Sequence, residues 1–247
     1  MIETLLAFAW DLSKLLWNAV PRSLDKWRFR RFFGKQSISG EQVFAVVDPY
    51  SHPVPRAMGT GNRYVKRFLG TKPDQPLVGE DDVLGVNVVR VVAYVSAIFS
   101  RYRDKSKPIS VVTDAEVMGK WDGTFICFGS SDSNIRTLEI ESLPQQSFYT
   151  LGFTPNGFRD FRIGGRSYSI SGSNDYGVLM RIRNPYHREH FLFVCAGLGE
   201  WGTSGSAYYL FDHWKDLYKG HGQEDFCRII EVSIGSDESA RDVFGIP

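Results

Sequence analysis

The stretch Gly197-Leu198-Gly199-Glu200-Trp201-Gly202-Thr203-Ser204-Gly205 separates two runs of opposite character. Ahead of it, His190-Phe191-Leu192-Phe193-Val194-Cys195-Ala196 is apolar and β-prone. Behind it, residues 206–218 read as a helix. A strand, a glycine loop and a helix in that order make an anion-binding corner, because the glycines turn tightly and the first helical N–H groups point outward. Gly197, Gly199 and Gly202 match G-x-G-x-x-G. With Thr203 they are expected to hold a phosphate. The alternative is a glycine turn needed only for close strand–helix packing. The acid expected about 20 residues later for a ribose hydroxyl is poorly met: Asp216 falls inside the helix, Glu224 and Asp225 precede the last strand, and Glu231 lies within it. A complete dinucleotide-binding domain cannot start at residue 190, so earlier strands must supply the rest of the sheet.

Those strands are visible upstream. Residues 42–48 read as a first core strand ending in Asp48, and loops at such strand ends are where α/β proteins place ligands. Residues 49–62 read as a long loop and 63–68 as a short helix. Residues 83–99 read as a buried helix, with Glu80-Asp81-Asp82 at its start favoured by the helix dipole. Residues 108–114 and 123–129 read as second and third strands. The third leads into Ser130-Ser131-Asp132-Ser133-Asn134 and a helix, a second strand–polar loop–helix corner. Ser131, Asp132 and Asn134 are candidates to hold phosphate or sugar. Helix capping alone explains the same residue types. Phe161 to Ile170 alternates around Gly164-Gly165 as a β-hairpin, and residues 176–183 and 226–234 read as further strands.

Residues 1–35 stand apart by charge. They carry seven Lys/Arg against three acids, +4, within a chain of net charge +1. Residues 2–20 read as an amphipathic helix with a wide apolar face, ended by Pro21; a basic aromatic segment follows, from Arg22 to Phe33. Three readings are open for residues 1–33: an interfacial helix on an anionic membrane surface, a docking helix for a partner protein, or a helix packed on its own domain. No secretory signal or clean transmembrane run is found. The near-neutral balance gives no reason to expect direct nucleic-acid binding. Cys127, Cys195 and Cys227 sit in apolar runs without metal or redox spacing. Buried thiols and a cytoplasmic setting are expected, with peripheral membrane association open.

Catalytic signals are thin. Neither a G-x-S-x-G elbow nor a Walker A motif is present. His187 and His190 lack a third zinc ligand nearby. Arg181 and Arg183 alternate on one strand face, as a phosphate clamp or a solvated surface. If a reaction occurs, carboxylates carry it: Asp48, Glu116 or Glu200 would orient a ribose or activate water for N-glycosidic or phosphodiester hydrolysis. Glu200, inside the glycine loop, is the most suggestive.

The stretches Phe128 to Asn134, Arg183-Asn184-Pro185 and Ala196-Gly197 to Gly202-Thr203 together resemble Rossmann-like nucleotide sensor or effector domains of prokaryotic defence systems, over roughly residues 40–235. The resemblance implies a nucleotide or NAD-like ligand. The expected architecture is one α/β domain over residues 36–247. It would have a mostly parallel Rossmann-like sheet, an antiparallel hairpin addition and an N-terminal amphipathic helix. The expected role is sensing or processing a NAD-like or cyclic-nucleotide ligand. The alternative is a non-enzymatic interaction subunit docked through residues 1–33.

Overall fold

The computed structural model describes residues 23–40, 42–48, 86–155 and 157–246. The expected helix over 2–20, the loop and short helix over 49–68 and the acids Glu80, Asp81 and Asp82 lie outside them.

Seven strands form one mixed sheet in the order β2-β1-β3-β8-β7-β9-β10. They are β1 Val43–Val47, β2 Ser110–Thr113, β3 Thr124–Phe128, β7 Asn174–Arg183, β8 Phe191–Gly197, β9 Phe226–Ser233 and β10 Ser236–Ile246. Strands β2, β1, β3 and β8 run parallel. Strand β7 is antiparallel to both its neighbours, β8 and β9, and β10 is antiparallel to β9. The unit from β8 to β9 is therefore a crossover with an antiparallel strand lodged between its two parallel members.

The sheet is buried on both faces, which is why its strands read as near-continuous apolar runs. Along β8, Phe191, Phe193 and Cys195 face one core, and Leu192, Val194 and Ala196 face the other. The first face carries three helices: α1 over residues 23–33, α2 Val86–Tyr102 and α5 Glu200–His221. The second face carries α3 Asp114–Val117, α4 Ile135–Glu141 and a separate antiparallel sheet of β4 Tyr149–Phe153, β5 Arg159–Ile163 and β6 Arg166–Ser169. The hairpin anticipated around Gly164-Gly165 is β5–β6. Both glycines have positive φ, 55° and 77°, as a two-residue hairpin turn requires. The hairpin does not extend the main sheet, however. It pairs with β4, and Tyr149, Phe161 and Ile163 pack the small sheet against the large one.

Helix α1 belongs to the core. Phe29, Phe32 and Phe33 are fully buried and form a ring cluster with Phe99 of α2, Trp214 of α5 and Phe193 of β8. Residues 23–33, the described part of that segment, thus bury one face in the chain's own core. Among the described residues, no helix is long and apolar enough to cross a membrane.

Removing one of these rings leaves a cavity that rigid neighbours cannot fill. Phe33→Ala is expected to lower stability by about 3–5 kcal/mol, read as a fall in the urea midpoint.

Candidate functional site

The parallel half of the sheet brings β1, β3 and β8 to an end on one edge. Helix α2, which follows β1, packs on one face, and α4, which follows β3, packs on the other. The edge beyond β1 and β3 is thus a topological switch point, where open α/β sheets place their ligands. Asp48 follows β1, Gly129 and Ser130 follow β3, and Leu198 follows β8. Asp48 and the glycine loop stand on strands separated by β3, two inter-strand spacings or about 10 Å apart.

The glycine corner has a resident anion. Asp175, buried at the start of β7, accepts from the amides of Gly199 at 3.1 Å and Gly202 at 2.7 Å. Its third donor is the Tyr176 amide at 2.7 Å. Two of the amides expected to meet a ligand phosphate are therefore engaged by a carboxylate of the chain itself. Burial raises the Asp175 pKa, and the three amides and the nearby Arg159 oppose that shift.

The glycines are explained by the same closeness. A Cβ on Gly202 would lie 2.3 Å from the Tyr176 carbonyl oxygen, and one on Gly199 would lie 2.6 Å from an Asp175 oxygen. A Cβ on Gly197 would lie 2.2 Å from the Thr203 amide. Thr203 is buried, its hydroxyl turned onto the Gly199 carbonyl at 3.4 Å. The packing alternative weighed for the triplet accounts for all of these contacts. Glu200 is half-buried in the first turn of α5.

The second corner is also capped from within. Asn134 is fully buried, its side-chain oxygen accepting from the Thr137 amide at 3.0 Å and its nitrogen donating to the Phe128 carbonyl at 3.1 Å. Both polar groups of the Asn134 side chain are thus engaged by the chain itself. Asp114, buried at the start of α3, accepts from the Ile135 amide at 2.7 Å. Glu116 is likewise structural: it closes a capping box with Thr113, whose amide it accepts at 2.6 Å.

Ser131 and Asp132 remain at the opening, half-buried and exposed respectively. They are joined by residues that the sequence did not single out. Arg159 of β5 reaches across both corners. It donates to Ser130 Oγ at 2.7 Å, to Asp132 at 2.9 Å and to the Leu198 carbonyl at 3.2 Å. Its Nε is buried without an acceptor among the described residues. Glu141, at the end of α4, accepts from the hydroxyls of Tyr149 and Ser131. Burial raises the Glu141 pKa against those two hydrogen bonds. Arg159 lies two residues ahead of the alternating run that starts at Phe161, and neither it nor Glu141 carried a signal in the sequence.

Arg181 and Arg183 form no clamp and no solvated face. Arg181 is fully buried over the rings of Phe32, Phe191 and Phe226, and donates to the Glu224 carbonyl. Arg183 donates to the carbonyls of Arg188 and Gln223 at 3.0 and 3.2 Å. Both fasten loops at the opposite edge. The three cysteines are buried and free, and burial holds their pKa values above the ordinary thiol range. Among the described residues, no three His, Cys, Asp or Glu side chains gather as a metal site.

Two outcomes follow. Asp175→Ala leaves three buried or half-buried amides without their carboxylate, and is expected to cost about 2–4 kcal/mol in urea unfolding. The folded protein also holds the Glu141 proton to a higher pH than the unfolded chain does. Ionising Glu141 in the folded state therefore removes stability as pH rises from the ordinary glutamate range through its raised value. Glu141→Gln is expected to flatten that part of the fall in urea midpoint between mildly acidic and neutral pH.

Comparison with protein-family models, with curated proteins and with solved structures found no match to this chain.

Proposed function

We propose, with no relative to carry a role over, that the switch-point edge binds a nucleotide-class ligand, NAD-like or cyclic, to sense or process it. The observation behind the reading is the meeting of Ser130, Asp132 and Arg159 beside the end of β3, with Ser131 next to them on the loop and Asp48 one strand away. This set offers what a phosphorylated sugar needs: a guanidinium for phosphate oxygens, and hydroxyl and carboxylate groups for sugar hydroxyls. In this reading the phosphate meets Arg159 and the Ser130–Asp132 loop. It does not meet the α5 amides, because Asp175 already neutralises that helix end.

Asp48 and Glu200 remain the groups proposed for hydrolysis of an N-glycosidic or phosphodiester bond, one orienting the sugar or activating water on each side of β3. Glu141, which retains its proton more strongly than an ordinary glutamate, suits a proton donor behind Ser131.

Isothermal titration against a panel of NAD, ADP-ribose and cyclic dinucleotides tests the binding claim. One member is expected to bind, with Arg159→Ala weakening it by about 10- to 100-fold, the loss of charged hydrogen bonds to phosphate. Asp132→Asn, a surface change, guards against a folding artefact and is also expected to weaken binding. Silence across the panel by folded wild-type protein sinks the reading. Substituting Gly199 is no test of it, since any side chain there strikes Asp175.

A further inference from the structure

Helix α1 presents two faces. Phe29, Phe32 and Phe33 enter the core, as described. Leu24, Trp27, Arg28 and Arg31 recur at i, i+3, i+4 and i+7 and so share one outward stripe. Lys26 and Arg30 are exposed along its flank. Leu24 is 43% exposed and Trp27 50%, although both belong to types that normally seek cover. The Arg31 guanidinium lies over the Trp27 ring, 5.5 Å from its centroid, so the stripe is an ordered surface. From residue 23 to 35 there are five cations and one acid, Asp25. That acid is already flanked by Arg28 and Lys215. The same face continues onto the end of α2, where Lys26 and Arg101 line one depression of about 290 Å³ with Asp25 and Tyr102.

The position of α1 in the fold adds a direction. The Lys35 amide donates to the Glu189 carbonyl just before β8, and Gln223 donates to the Arg31 carbonyl just before β9. The helix therefore lies at the edge where the parallel strands begin. The Ser130–Asp132–Arg159 cluster lies at the edge where they end, the length of β8 away, about 20 Å.

We infer that the outward face of α1 docks the protein onto an anionic lipid surface, with the switch-point edge turned away from the lipid. Charge complementarity carries the choice of occupant. A stripe of Leu and Trp between cations matches the boundary between acyl chains and acidic headgroups. Binding of such a helix scales with its buried apolar area and its attraction to anionic lipid, and the outward face of α1 carries Leu24 and Trp27 among cations. The inference is independent of any ligand at the opposite edge.

Sedimentation of the full chain with phosphatidylcholine vesicles, with and without phosphatidylserine, tests it. Binding is expected only with phosphatidylserine, and is expected to weaken at high salt. The exposed triple change Lys26→Glu, Arg30→Glu, Arg31→Glu is expected to reduce partitioning by at least about tenfold. Trp27→Ala is expected to reduce it severalfold, with circular dichroism showing both variants folded. Absence of binding overturns the inference. Equal binding to neutral vesicles, or a folded triple variant that sediments like wild type, overturns it as well.

Discussion

The contact between the Asp175 carboxylate and the first turn of α5 sets the geometry of the rest. A long helix ending on a sheet presents orphan amides and the positive end of its dipole. Here a neighbouring strand supplies the counter-charge, so the helix can sit close without a capping side chain of its own. Gly202 lies against the backbone of β7 because nothing projects from either surface. That closeness brings Gly197, Leu198 and the base of the small sheet into register. Arg159 can then bridge Leu198 and Ser130, tying the small sheet to the edge that ends the parallel strands. The same device recurs at α4, where Asp114 meets the Ile135 amide. The first turns of α4 and α5, two of the helices that start at this edge, are thus met by carboxylates of the chain itself.

Much of the chain was legible as elements and little of it as pairings. Long apolar runs bounded by glycine and polar loops gave β1, β3, β8 and α5, because period and length separate strand from helix there. Strand β7 reads as apolar along most of its length, since both its faces are covered, and such a run says nothing about direction. Its place between β8 and β9 was therefore invisible, and Asp175 with it. The residue that fills the glycine corner lies more than 20 positions upstream and arrives only through that antiparallel register. Arg181 illustrates the same limit. Alternation fixes which face it shares with Arg183, but Phe32, which covers that face, comes from a helix about 150 residues earlier. The sequence motif G-x-G-x-x-G was real as a pattern, and its glycines serve close packing. The pattern alone could not distinguish an anion from a ligand and an anion from the chain.

The parallel half of the sheet gives the molecule a polarity that separates its two surfaces of interest. Strand ends and helix starts gather on one edge, and helix ends on the other. Cations such as Arg101 and Lys219 at the ends of α2 and α5 answer a local need, since carbonyls and the negative end of the dipole are there. Part of the basic character of that edge is thus a consequence of folding. That need does not account for Leu24 and Trp27, which gain nothing from a helix dipole and forgo burial that Phe29 and Phe33, on the same helix, obtain. An apolar stripe left outward on a helix otherwise buried to the limit of its other face is the feature that local structure leaves unexplained. Contact with a second phase at that edge would explain it while leaving the opposite edge open to solvent and its solutes.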